Sequence, residues 1–201
     1  MSAQSPVVAI LLAAGESRRM GRPKPLLEWK GLTLIEYQIR ELHAAGVDEV
    51  IAVLGARADE VRPAAQRAGA RIVLNAAYRE GRAGSIRAGA FAIQDRPEVI
   101  LLLSVDQPRG RNISSALLKA HLDKCNLITV PTHGGRRGHP AVLAGSLLNE
   151  LRNVREETEG LRALMQRHAA ERAELALDNP DVLLDLNRPE EYEAALAQRE
   201  E

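Results

Sequence analysis

Residues 8–27 read Val8-Ala-Ile-Leu-Leu-Ala-Ala-Gly-Glu-Ser-Arg-Arg-Met-Gly-Arg-Pro-Lys-Pro-Leu-Leu27. The apolar run from Val7 to Leu12 gives way to Ala13, Ala14 and Gly15, and an apolar run closed by a glycine turn predicts a buried strand. With no bulky side chain for three residues, the turn lets a ligand approach the backbone. Arg18, Arg19 and Gly21 follow, then Lys24 between Pro23 and Pro25. Guanidinium forks and a compact ammonium suit phosphate oxygens. A merely solvated basic loop would not need the Ala-Ala-Gly step directly after a buried strand. Spacing excludes two common phosphate loops: Gly15, Gly21 and Lys24 do not fit Gly-x-x-x-x-Gly-Lys-Ser/Thr, and Gly-x-Gly-x-x-Gly is absent from the chain.

Outward from this stretch the chain alternates. Thr33-Leu-Ile-Glu36 is a capping box, and Leu34, Ile35, Ile39 and Leu42 continue at helical spacing until Gly46 stops the helix near Ala44. Residues 48–54 and 71–74 predict strands. Between them lies an alanine-rich helix over 57–68, in which Pro63 marks either a late start or a break. A helix is expected over 85–94 and a fully buried strand over 98–105. Further on, strands are expected over 126–130, 140–143, 173–177 and 182–184, and helices from about Ser114, over 161–168 and over 190–198. Strands that are apolar throughout, alternating with helices, imply a mostly parallel sheet covered on both faces. No repeat or linker divides residues 1–201, so one domain is expected.

Composition narrows the function. Lys+Arg and Asp+Glu both number 27, so no net field draws the chain to nucleic acid or membrane. Aromatic residues are 2%, which leaves few platforms for stacking bases. The one cysteine, Cys125, cannot form an internal disulfide and fits a reducing compartment. The first residues lack a basic targeting region, and the apolar run after them is too short to span a membrane. A cytoplasmic protein with neither nucleic-acid nor membrane partner is expected.

Open α/β sheets bind ligands beyond the carboxyl ends of their strands. That places residues 13–24 at a site, together with Asp106, which ends Leu101-Leu-Leu-Ser-Val-Asp-Gln-Pro108. A carboxylate there suits a hard cation. Gly81, Gly84 and Ser85 permit close backbone approach, and the helix start at Ser85 offers free N–H groups. His43, His121 and His168 fall on predicted helices and read as surface residues. The histidines and Cys125 show no zinc-like spacing.

The string Leu-Ala-Ala-Gly-x-Ser-x-Arg-Met-Gly-x-Pro-Lys-x-Leu-Leu resembles the opening signature of the nucleotidyltransferases typified by molybdenum-cofactor guanylyl- and cytidylyltransferases. Every fixed position is present, and Asp106-Gln-Pro108 is similar to the metal-binding step of that family. Leu184-Asp-Leu-Asn-Arg-Pro-Glu-Glu-Tyr192 is similar to its C-terminal string, where the residue at the Asn187 position supplies a second magnesium ligand. Many relatives have aspartate there, so Asn187 implies one charge less; Asp185 either compensates or faces solvent. The segment from Asn75 to Gly89 resembles the nucleobase and ribose loop. Gly138-His139-Pro140 stands where cytidylyl-transferring relatives bind molybdopterin; alternatively His139 packs or caps a turn.

The resemblance implies a three-layer α/β/α, Rossmann-like fold with a mostly parallel mixed sheet. It implies nucleotide contacts from Leu12, Ala13, Ala14, Gly15, Arg18, Arg19, Lys24, Asn75, Gly81, Gly84, Ser85 and Asp106. Arg19, Lys24 and Asp106 carry catalysis, Asp106 and Asn187 hold Mg²⁺, and Gly138, His139 and Pro140 face the acceptor. No serine or cysteine is set beside a histidine in a nucleophile motif. A phosphate-monoester acceptor, with a second pKa of about 6, needs no such help to attack a triphosphate. Leu-Ala-Ala-Gly, the Ala83–Arg87 segment and Gly-His-Pro favour CTP and molybdopterin. GTP, a sugar phosphate or methylerythritol phosphate as acceptor, and a nucleotide-binding chaperone for a molybdoenzyme apoprotein are the alternatives.

Overall fold

A computed structural model describes residues 6–94 and 96–198. Residues 1–5, read above as free of a targeting sequence, and the final three residues of the 1–201 span lie outside that range. The strands are β1 (Val7–Ala13), β2 (Glu28–Trp29), β3 (Leu32–Thr33), β4 (Glu49–Leu54), β5 (Arg71–Leu74), β6 (Val99–Ser104), β7 (Ile128–His133), β8 (Arg136–Arg137), β9 (Ala141–Ala144) and β10 (Arg172–Ala176). The helices are α1 (Leu34–Ala44), α2 (Ala58–Arg67), α3 (Arg82–Ala92), α4 (Arg111–Lys124), α5 (Leu148–Arg152), α6 (Leu161–Arg167) and α7 (Pro189–Ala197).

The main sheet runs β10-β7-β9-β6-β1-β4-β5, with β8 paired to β7. β1 is parallel to both β4 and β6, and β5 and β10 are parallel to their neighbours. Only β8 and β9 among these run against their partners, so the sheet is mixed and mostly parallel, as expected. Alternation along β1 feeds two cores. Ala9, Leu11 and Ala13 pack with α1, α2, α4 and α7, while Val8, Ile10 and Leu12 pack with α3, α5 and α6. From β1 the chain moves to β4 on one side, whereas β6 lies on the other. Neighbouring parallel strands whose connections leave in opposite directions open a crevice at their carboxyl ends. Here that crevice lies between the ends of β1 and β6.

Local chemistry explains most boundaries. The Thr33 hydroxyl accepts from the Glu36 backbone N–H while the Glu36 carboxylate accepts from Thr33 N–H, completing the capping box of α1. Pro63 sits inside α2 and neither delays nor breaks it; Pro63 and Asp59, whose carbonyl lacks its helical donor, both face solvent, where water can satisfy that group. Other expectations are corrected: α3 begins at Arg82, so Ser85 lies three residues inside the helix and not at its start. Residues 182–184 do not form a strand, because Pro180–Leu183 makes a 3₁₀ turn opened by the Asn179 side chain. His121 is buried on the face of α4 that also carries Ile113, Leu117 and Leu118, with Nδ1 3.0 Å from Thr129 Oγ1. His43 and His168 are partly buried. Helix α4 begins at Arg111, ahead of Ser114, and the short α5 was not foreseen.

Two predictions follow from the packing. Gly89 brings α3 onto β1 and β4, and a Cβ there would meet Ile10 Cγ2 at 2.5 Å and Val53 Cγ2 at 3.1 Å. Gly89→Ala should therefore lower stability by about 1–3 kcal/mol, despite the ~1 kcal/mol advantage of alanine inside a helix. A higher urea midpoint than wild type would contradict this packing. Burial holds His121 below the ordinary 6.5 of the unfolded chain, so the unfolded state takes up the proton first as pH falls. Stability should drop below pH 6.5, and His121→Gln should reduce that drop in urea titrations at pH 7.5 and 5.

Candidate functional site

A cleft of about 800 Å³ opens beyond the ends of β1 and β6. Its first wall is the loop after β1. The Ala14 carbonyl accepts from Ala56 N–H at 3.1 Å, which fixes the strand end, and Gly15 then meets open space. Ser17 adopts a left-handed conformation (φ 54°), and its Oγ accepts from Lys24 N–H at 3.0 Å, drawing the loop closed. Buried Met20 anchors the loop's far side. Glu16 binds both Arg18 and Arg79, the latter at 2.9 Å, and these guanidiniums hold its carboxyl below the usual carboxylate range, Arg79 most. Arg19 lines the cleft, exposed and without an ion pair among the described residues.

Lys24 begins a 3₁₀ turn held by Pro23 and Pro25. Its ammonium donates to Asp106 Oδ2 at 2.8 Å and to Asn187 Oδ1 at 3.1 Å, and its side chain is only 13% exposed. Asp106 stands two residues beyond β6, whose extension is tied to β1 by Val105 N–H on the Leu12 carbonyl at 2.9 Å. The Asp106 carbonyl in turn accepts from Leu186 N–H at 2.8 Å, which brings the C-terminal segment alongside. Asn187 is then fixed by the Glu191 carboxylate, which accepts from Asn187 N–H at 2.6 Å and Arg188 N–H at 3.0 Å. Three parts of the chain, the outermost 163 residues apart, thus meet at one ammonium.

The donor set fits a hard cation. One carboxylate and one amide oxygen already converge on a positive charge, and Asp185 lines the same cleft. Among the described residues no group of three or more His, Cys, Asp or Glu is arranged to hold a metal, so the remaining oxygens would come from a ligand or water.

Two arginines escaped the sequence reading. Arg109, 1% exposed, donates to the carbonyls of His139 (2.9 Å), Leu184 (2.8 Å), Val182 (3.0 Å) and Pro108 (3.1 Å). It therefore holds the Gly138–Pro140 loop and the C-terminal segment in place. Buried Gln38 steadies the same corner, donating to the Gln107 carbonyl at 2.5 Å and accepting from Arg109 N–H at 3.2 Å. Arg82 opens α3 on the cleft wall as an exposed residue, and Asp106, Asp185 and Glu156 act on its guanidinium through space. Arg82 belonged to the Asn75–Gly89 segment, where a basic residue beside Gly81 was a usable signal. The burial of Arg109 had none.

The cleft gathers Leu12, Ala13, Ala14, Gly15, Arg18, Arg19, Lys24, Gly81, Ser85, Asp106, His139 and Asn187. Asn75 sits behind it, donating to Ser85 Oγ at 3.0 Å and accepting from Ala77 N–H at 3.1 Å. Gly84 packs against Asn75. Gly138 lies under the Val182 carbonyl, which a Cβ would strike, and lines a neighbouring chamber of about 440 Å³; Pro140 is buried. His139 borders both cavities, and burial, with Arg82 and Arg109 nearby, pushes its imidazole down to about 4. It is neutral at pH 7.

The chain is similar to known proteins along most of its length. Residues 9–173 match the model of the MobA-like NTP transferase domain. The nicotine blue oxidoreductase of Paenarthrobacter nicotinovorans is 33% identical over 80% of this chain and 81% of its own length. The molybdenum cofactor cytidylyltransferase of Escherichia coli K12 is 26% identical over 94% of both chains. The solved structure of Rv0371c from Mycobacterium tuberculosis H37Rv superposes with a TM-score of 0.84 at 27% identity, over 97% of this chain and all of that one. A second structure of that protein is a complex with manganese, with a TM-score of 0.75 at 24% identity over 96% of this chain and 99% of that one. The cleft at the ends of β1 and β6 is thus built on a known nucleotidyltransferase framework, and the chain belongs to the MobA-like NTP transferase domain family.

Proposed function

We propose that this chain, acting as a single cytoplasmic domain, is a Mg²⁺-dependent nucleotidyltransferase that moves CMP from CTP to the phosphate of molybdopterin. The observation that carries the reading is the Lys24 ammonium seated between Asp106 and Asn187 at the mouth of the sheet. A cleft that already holds a cation between two oxygens, next to an uncommitted arginine, suits a magnesium triphosphate. Likeness to the E. coli cytidylyltransferase over nearly the whole chain supports CTP and molybdopterin, and the manganese complex of the mycobacterial protein supports a divalent ion.

In this reading the small-residue loop from Ala13 to Ser17 brings backbone N–H groups to the triphosphate, and Arg19 holds its charge. Lys24 exchanges Asp106 and Asn187 for the phosphates when nucleotide enters. Mg²⁺ held by Asp106 and Asn187 would supply charge neutralisation to the triphosphate. An oxygen of the acceptor phosphate attacks the α-phosphorus in line. The new P–O bond forms as the α–β bridging bond breaks, and its electron pair leaves with pyrophosphate. No protein base is required, since the attacking oxygen is already ionised; the work is positioning and electrostatic stabilisation.

The relative described as nicotine blue oxidoreductase supports a second reading. An oxidoreductase in this cleft would set the diphosphate of a nicotinamide dinucleotide against the same cations, and dinucleotide binding would distinguish it.

Asp106→Ala should lower turnover, followed as pyrophosphate release from CTP, by roughly 10²–10³-fold, the cost of losing a transition-state charge contact. Near-normal turnover in a folded variant would remove Asp106 from the site. Lys24→Ala should also bind Mn²⁺ more tightly than wild type in the absence of nucleotide, because the competing ammonium is gone. Weaker metal binding by this variant would contradict the exchange.

A further inference from the structure

We propose that Arg82 holds the attacking phosphate of the acceptor where the two chambers meet. The inference rests on the transferase reading and assigns the one step that reading leaves without a residue. Arg82 and His139 line both the nucleotide cleft and the neighbouring chamber of about 440 Å³. An acceptor phosphate that reaches from one chamber to attack a nucleotide in the other therefore lies beside them.

Elimination among the cations leads to the same residue. Arg18 and Arg79 are engaged by Glu16, Lys24 by Asp106 and Asn187, and Arg109 by four carbonyls. Among the described residues only Arg19 and Arg82 face the cleft without an ion pair or hydrogen bond. Arg19 stands on the loop after β1, at the nucleotide end. Arg82, at the first position of α3, is the one of the two that also lines the neighbouring chamber.

Its backbone is held firmly. The Glu156 carboxylate accepts from Ala83 N–H at 2.8 Å, capping α3 from the α5–α6 connection. Gly81, at φ 116°, makes room for that carboxylate, whose Cδ would lie 2.5 Å from any Cβ there. With Glu156 spent on the backbone, the guanidinium faces Asp106, Asp185 and Glu156 through space only, and neutral His139 adds no competing charge at pH 7. A free fork in that setting suits a dianionic phosphate bidentately. It also offsets the repulsion between that phosphate and the triphosphate it attacks.

The chamber behind Arg82 indicates what carries the phosphate. Ile86, Leu102, Val130, Ala141 and Met165 give it apolar lining, and Arg137, Arg162 and Arg172 line it as well. The acceptor is a phosphate monoester with a ring or other apolar body.

Phenyl phosphate is a suitable probe, added to protein holding Mg²⁺ and CTP. Wild type should bind it, and ³¹P spectra should place the bound second pKa below the free value of about 6. Arg82→Ala should weaken phenyl phosphate about tenfold or more while changing CTP affinity less than about twofold; both figures are order-of-magnitude expectations for one charge-assisted pair. Arg82→Lys, keeping the charge and losing the fork, should fall between. Equal phenyl phosphate binding by wild type and Arg82→Ala, no binding by wild type, or loss of CTP alone would each overturn the proposal. If wild type bound no nucleotide yet held phenyl phosphate through Arg82, the transferase reading would fail and the assignment of Arg82 would stand.

Discussion

The Lys24 ammonium ties together side chains from three parts of the chain: the loop after β1, the carboxylate beyond β6 and the amide before α7. It does so at 13% side-chain exposure, where a charge must be paired to be tolerated. The arrangement is self-consistent without ligand, because the donors a divalent ion would use are already satisfied. It also makes nucleotide and metal entry a matter of exchange, in which the lysine gives up two oxygens on one side of the cleft and gains phosphate on the other.

What makes that meeting possible lies deeper in the fold. β1 and β6 are adjacent and parallel, and their ends deliver the glycine loop and Asp106 to one crevice. The C-terminal segment is drawn in by the Asp106 carbonyl and held from behind by Arg109. A buried guanidinium satisfied by main-chain carbonyls carries orientation rather than reactivity. Gln38, on a helix remote in sequence, completes the support.

The sheet was legible in the sequence because parallel strands buried on both faces are apolar throughout: β1, β4 and β6 stand within a residue or two of where the pattern put them. The loop after β1 and Asp106 were legible for a different reason, since small residues and charges directly after a buried strand have little structural use. Legibility failed where tertiary context decided. His121 looked like a surface histidine, and only the pairing of α4 with β7 buries it against Thr129. Val182-Leu-Leu184 carries strand-like residues, but Pro180 and the Asn179 cap turn it. Arg109 resembled any loop arginine, because its partners are carbonyls, which carry no residue identity. Arg82 was hidden by its neighbours, whose glycines drew the reading to backbone approach and away from the side chain between them.

The central claim is that this cleft takes a magnesium nucleoside triphosphate. Thermal unfolding with CTP, GTP, ATP and UTP, each with and without Mg²⁺, and with NADH in parallel, tests it most directly. A ligand at one hundred times its Kd adds about 2.7 kcal/mol, which is on the order of 5–11 °C in Tm for a domain of this size. The account predicts a Mg²⁺-dependent rise, largest with CTP and lost in Asp106→Ala. A rise with NADH and none with any triphosphate would contradict it.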